Sequence, residues 1–107
     1  MSFVDLREWI TRLDKEGELR RVTAPVDWDR ELGAIARRVL EEKGPALLFE
    51  NIKGYETGRC TKLLVSGLGS VGRLALALGF PRDIGNRDLV QHVMKLHRQT
   101  IAPRVVA

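Results

Sequence analysis

Cysteine and histidine are scarce in this sequence, which has one cysteine, Cys60, and two histidines in 107 residues. A single cysteine excludes an internal disulfide and any cysteine-rich zinc site. His92 and His97 are five residues apart, so on a helix they lie about 140° apart around the axis and cannot grip one metal ion together. Neither histidine is close to Cys60 in sequence, so a buried filler or an exposed thiol is favoured over a catalytic nucleophile.

Long apolar runs are also missing. The longest run is a few residues, too short to span a membrane, and the start of the chain has no basic region followed by an apolar block, so we expect no signal peptide and a cytoplasmic protein. The length suits one small domain. A composition of 44% hydrophobic and 30% charged residues is ordinary for a soluble globular fold.

The net charge of +4, with a pI near 9.7, raises nucleic acid as a possible partner. The arginine pairs at 20–21 and 37–38, however, are interleaved with acidic residues, and no aromatic residue is spaced among them for base stacking. The sequence therefore predicts no nucleic-acid or membrane partner. A free-standing basic nucleic-acid-binding module remains the alternative function.

Apolar residues at helical spacing predict four helices. The first begins at the capping-box-like Ser2-x-x-Asp5, ends at Gly17, and presents a stripe that contains Trp9 as a core anchor. The second carries the best-defined stripe, and Asp27 or Asp29 is expected to cap it; a pair of carboxylates for a metal or for acid–base work is the less favoured interpretation. The stripes of these two helices are Phe3, Leu6, Trp9, Ile10 and Leu13, and Leu32, Ile35, Ala36, Val39 and Leu40.

Two further helices are predicted near the C-terminal end. One spans Val71–Leu78, with Ser70 as its cap and Gly79 as its stop. The other begins with Asn86 as its cap, has a broad apolar face, and is closed by Ile101 before Pro103.

Three short strands complete the predicted fold. Gly44, as a left-handed residue, and Pro45 should end the second helix, and Ala46–Phe49 then reads as a strand with both faces covered. Lys62–Val65 forms a second strand, and Glu18–Val26 contains a third near a sheet edge, where Arg20-Arg21 indicates a charged, solvated edge more than an anion site. We expect an α/β fold: a single domain with a small mixed sheet of about three short strands packed with about four helices, with pairing order open.

The stretch Gly67-Leu-Gly-Ser-Val-Gly72 matches the spacing of a dinucleotide-binding turn, and Asp88 lies about twenty residues further on. Asp88 falls in the first turn of a predicted helix instead of closing a second parallel strand. The glycines are therefore interpreted as a tight turn that lets the next helix pack on the sheet. Because no nucleophile–base pair or metal-ligand set is found either, we nominate no catalytic, cofactor-binding or metal-binding residue, Glu50 and Arg59 included.

Four stretches of the chain resemble the opening domain of the UbiD-like decarboxylases, enzymes that use prenylated flavin mononucleotide, and the resemblance spans essentially all 107 residues. These stretches are Asp5-Leu-Arg-Glu8, Gly17-Glu-Leu19, Pro45–Gly54 and Arg73–Gly79. The resemblance implies reversible, non-oxidative decarboxylation of an aromatic or α,β-unsaturated acid. It also implies that the flavin, its Mn²⁺ and K⁺, and the catalytic arginine and two glutamates belong to a different, middle domain.

On that resemblance, residues 1–107 form a UbiD-like N-terminal α/β domain that ends at the boundary to a missing flavin-binding domain. The chain is expected to be a fragment of a longer enzyme or a small subunit of a split one, and to be inactive alone. The expected partners are the remaining domains or subunits, with a homo-oligomer possible in the full enzyme. The docking surface is predicted on the last helix and tail, at Val90, Met94, His97, Ile101 and Val105.

Overall fold

The computed structural model describes residues 3–106, which form four helices and one three-stranded mixed sheet. The α/β prediction is thereby confirmed. In chain order the elements are α1 Leu6–Lys15, β1 Leu19–Val22, α2 Glu31–Glu41, β2 Ala46–Phe49, β3 Leu63–Val65, α3 Val71–Ala77 and α4 Asn86–Arg98.

The central strand of the sheet is β2. It pairs in parallel with β1, with Leu19 opposite Ala46, and antiparallel with β3, with Phe49 opposite Leu63. As predicted, β1 lies at an edge. The pairing order β1-β2-β3 was not predictable from the apolar pattern, because both flanking strands are short.

Both faces of β2 are covered, which explains why its four apolar residues show no alternation. Leu47 and Phe49 pack with Leu32 on the α2 side, and Ala46 packs with Leu13 and other residues of α1 and α3 on the opposite side. The domain is therefore a three-layer structure with α2 on one face of the sheet and α1 with α3 on the other.

The start of α1 differs from the prediction. Its N-cap is Asp5, whose Oδ1 accepts a hydrogen bond of 3.0 Å from the amide of Glu8, whereas the proposed cap Ser2 lies outside the described residues. Trp9 and Leu13 are buried as predicted, but Leu6 is exposed. The rings of Phe3 and Trp9 pack edge to face, with their centroids 5.0 Å apart.

The predicted caps of α2 were wrong. Arg30 occupies the N-cap with φ +67°, and Asp27 instead closes a turn by accepting a bond of 2.9 Å from the amide of Asp29. At the other end the left-handed residue is Lys43, with φ +56°, and not Gly44. Gly44 is needed for space, because a Cβ there would lie 2.6 Å from Val39 Cγ1.

The last two helices also differ in detail. Ser70 caps α3 as predicted, accepting a bond of 3.1 Å from the amide of Arg73. The N-cap of α4 is Gly85, so Asn86 is the first helical residue instead of the cap, and Gln99 terminates the helix in an extended conformation. Ile101 consequently lies beyond the helix, 96% exposed, and does not close it.

Candidate functional site

The glycine turn between β3 and α3 is filled by protein atoms. A Cβ at Gly69 would lie 3.0 Å from both Arg73 Nη2 and Ser66 Cβ, and one at Gly72 would lie 2.9 Å from Arg82 Cγ. A dinucleotide turn needs such space for a pyrophosphate. In addition, β3 is antiparallel to β2, and Asp88 lies in the first turn of α4. The glycines thus serve close packing.

Arg73 is the buried charged residue in the described part of the chain, with only 2% of its surface exposed. Its Nε donates to the carbonyl of Ser66 at 3.0 Å, and its Nη1 donates to Glu18 Oε2 at 3.1 Å and to the carbonyl of Gly44 at 3.2 Å. These partners belong to three separate connections, so one guanidinium joins the start of β1, the entry to β2 and the exit from β3. Arg82 contacts the same carboxylate, with its Nη1 3.5 Å from Glu18 Oε1.

The role of Arg73 was not predicted. The residue was noted only as the start of the stretch Arg73–Gly79, and all its bonds go to protein groups, which gives it a structural function. The usable signal was a single cation within the otherwise apolar helix Val71–Ala77. A charged residue that is fully buried requires partners, so such a residue points to a network.

Arg21 at the sheet edge and two arginines of α2 are paired with acids close by. Arg21 Nη1 donates to Glu50 Oε1 at 2.6 Å, and this hydrogen bond raises the pKa of Arg21 further above its ordinary value. Arg37 pairs with Glu41 at 3.0 Å, and Arg38 pairs with Glu42 at 2.7 Å. These cations are therefore partly neutralised, which weakens the case for a nucleic-acid-binding surface on this part of the domain.

The remaining candidate residues lie apart from one another. His92 and His97 are both exposed, and the ring of His92 stacks on Phe80 with centroids 4.5 Å apart. Cys60 is an exposed thiol in a shallow groove of about 250 Å³. Glu50 is held by Arg21 and lies 3.9 Å from Lys62 Nζ, while Arg59 is exposed.

Within residues 3–106 no three His, Cys, Asp or Glu side chains are placed to hold a metal ion. The glycine turn is packed with protein atoms and thus does not fit a flavin phosphate, and no chemical step is assigned to the described residues. None of the helices in that range is long and apolar enough to cross a bilayer.

The family model for the 3-octaprenyl-4-hydroxybenzoate carboxy-lyase N-terminal domain (UbiD_N) matches residues 10–93. The chain belongs to this family. The resemblance noted in the sequence is thereby confirmed, and it rests on stretches that build the fold, such as the strand Ala46–Phe49 and the helix that begins after Ser70.

Solved structures of vanillic acid decarboxylase from Sedimentibacter hydroxybenzoicus have the same fold. The open form with truncated ShVdcD matches with a TM-score of 0.84 and 28% identity over 96% of this chain and 21% of that chain. The closed form matches with a TM-score of 0.83 and 28% identity over 100% of this chain and 22% of that chain. The UbiD_N domain described here therefore spans about a fifth of the enzyme chains it resembles.

Proposed function

We propose that this chain is the N-terminal structural domain of a UbiD-like decarboxylase. The observation that carries the proposal is the pair of coverages: nearly all of this chain matches vanillic acid decarboxylase, but only 21–22% of that enzyme's chain is matched. Other domains or subunits of a decarboxylase are therefore its partners. The chain, as a fragment or small subunit, contributes a folded domain in which Arg73 links the ends of the three strands.

The assembled enzyme is proposed to decarboxylate an aromatic or α,β-unsaturated acid reversibly and without oxidation. Prenylated flavin mononucleotide, Mn²⁺ and K⁺ are proposed to bind outside this chain. Two observations support this part of the proposal: the described residues hold no group of three His, Cys, Asp or Glu side chains placed for a metal ion, and the glycine turn is packed with protein atoms. The cytoplasm is the proposed compartment. The proposal also allows the full enzyme to be a homo-oligomer.

The experiment is an activity assay on this chain produced together with the remaining domains or subunits and supplied with prenylated flavin mononucleotide. Vanillate and a cinnamate are incubated with the assembly, and released CO₂ and the decarboxylated product are measured. We expect turnover of at least one of these acid classes by the assembly. A fully loaded assembly that releases no CO₂ from either class, or a chain that instead binds mixed oligonucleotides with a steep salt dependence, contradicts the proposal.

A further inference from the structure

One side of α4 is apolar and uncovered. Leu89 is the buried residue of this helix, and the ring of the exposed His92 stacks on Phe80, so these two positions mark the side nearest the body. At about 100° per residue, Val90, Val93, Met94 and His97 fall on an adjacent strip. We call these four residues the α4 strip. Val90 and Met94 are 56% and 53% exposed, more than half of each side chain.

The charges around the α4 strip have no partners within the described residues. All ion pairs in residues 3–106 lie between Asp5 and Arg82. The segment 86–106 carries one carboxylate, Asp88, and four cations, Arg87, Lys95, Arg98 and Arg104. By helical spacing Arg87 and Arg98 border the α4 strip on the side of Met94.

The domain is also less compact than is usual for its length. The radius of gyration is 16.6 Å, whereas a compact domain of this length has about 13 Å. Residues 99–106 form neither helix nor strand, and Ile101, Val105 and Val106 are exposed. Apolar side chains at the end of an extended, cationic segment are typical of a surface that is covered in an assembly.

We propose that the α4 strip, with Arg87 and Arg98, docks on an apolar surface edged by carboxylates on the companion domain or subunit of the decarboxylase. This inference rests on the proposed function and adds the chemistry of the partner surface. Acidic groups there complement the unpaired arginines, which favours the correct orientation during association.

The test is a calorimetric titration of the 107-residue chain into the companion part of the enzyme. We expect Met94→Asp and Arg98→Glu each to weaken binding about tenfold or more. Two matched controls should bind like the unmutated chain: Leu40→Asp, whose side chain is similarly exposed at 50%, and Lys53→Glu, which makes the same charge change away from α4. Thermal melts of all four variants check the fold.

Salt dependence and rival ligands complete the test. Binding should weaken when NaCl is raised from about 0.05 M to about 0.3 M, because exposed charges are screened over shorter distances.

Equal binding by Met94→Asp and Arg98→Glu overturns the inference even if the assembly decarboxylates acids. Binding with the expected losses, in an assembly without decarboxylase activity, retains the docking surface and contradicts the proposed function. Preferential binding of phosphatidylserine vesicles or mixed oligonucleotides through α4, with no binding to the companion, also overturns the inference.

Discussion

Arg73 Nη1 lies 3.1 Å from Glu18 Oε2, and this ion pair links the third helix to the residue that precedes the first strand. The two residues are 55 positions apart in sequence. The same guanidinium also binds the carbonyls of Ser66 and Gly44. Arg73 therefore links the residue before β1, the entry to β2 and the exit from β3, and helps to hold the three strands in place.

Arg73→Ala should lower the free energy of unfolding by about 3 kcal/mol or more, because it removes the buried donor that binds Glu18 Oε2 and the carbonyls of Ser66 and Gly44. Urea denaturation followed by circular dichroism measures the change. Arg82→Ala is the matched control, since Arg82 contacts the same carboxylate from a half-exposed position and its loss should cost about 1 kcal/mol or less. Similar losses in the two variants would show that burial of Arg73 contributes nothing.

Two glycines of the α2 region should respond to alanine in opposite directions. A Cβ at Gly44 would lie 2.6 Å from Val39 Cγ1, so Gly44→Ala should destabilise the domain by about 1–3 kcal/mol. A Cβ at Gly33, on the exposed side of α2, meets nothing within 4 Å, so Gly33→Ala should stabilise by about 0.4–1 kcal/mol. Unfolding curves decide, and a neutral Gly44→Ala would refute the space requirement.

The elements were predictable from the sequence, whereas their ends and cross-links were not. The strand at Ala46–Phe49 and the cap at Ser70 follow from local patterns that the structure retains. The predicted caps of α2 and α4 were wrong because Arg30 and Gly85 occupy the N-cap positions without a side-chain hydrogen bond, so the side-chain preference behind the prediction did not apply. Gly44 was predicted to adopt the left-handed conformation, but Lys43 adopts it. Gly44 instead lies where a Cβ would be too close to Val39.

That no residue of the chain is catalytic was inferred from motifs and stays a prediction, whereas the role of Arg73 required the fold. Its three partners lie 7, 29 and 55 residues away in sequence, so no local pattern links them. The apolar face of α4 was predictable in part, because its apolar spacing is visible in the sequence. Which half of that face stays uncovered depends on Leu89 and His92 packing against the body.

Alanine substitutions at a fully buried and at a partly buried core position should lower the free energy of unfolding by different amounts. Leu48 is buried in the central strand, so Leu48→Ala should cost about 2–5 kcal/mol. Ile35 is only partly buried where it packs on the α2-side cluster, so Ile35→Ala should fall at the lower end of that range, about 2 kcal/mol. Thermal and urea unfolding of both variants provide the check. Melting temperatures within about one degree of the unmutated chain would show that these residues do not form the core.

The 107-residue chain, purified alone, should bind no flavin and release no CO₂ from vanillate or a cinnamate. The physical reason is that the turn with the dinucleotide-binding glycine spacing is packed with Arg73, Ser66 and Arg82. The chain is produced in cells that make prenylated flavin mononucleotide, and its visible absorbance is recorded after gel filtration. The same chain coproduced with the companion domain or subunit is the control and should elute with a yellow chromophore. A yellow 107-residue chain would place a flavin site within this domain and contradict the assignment of that site to the companion.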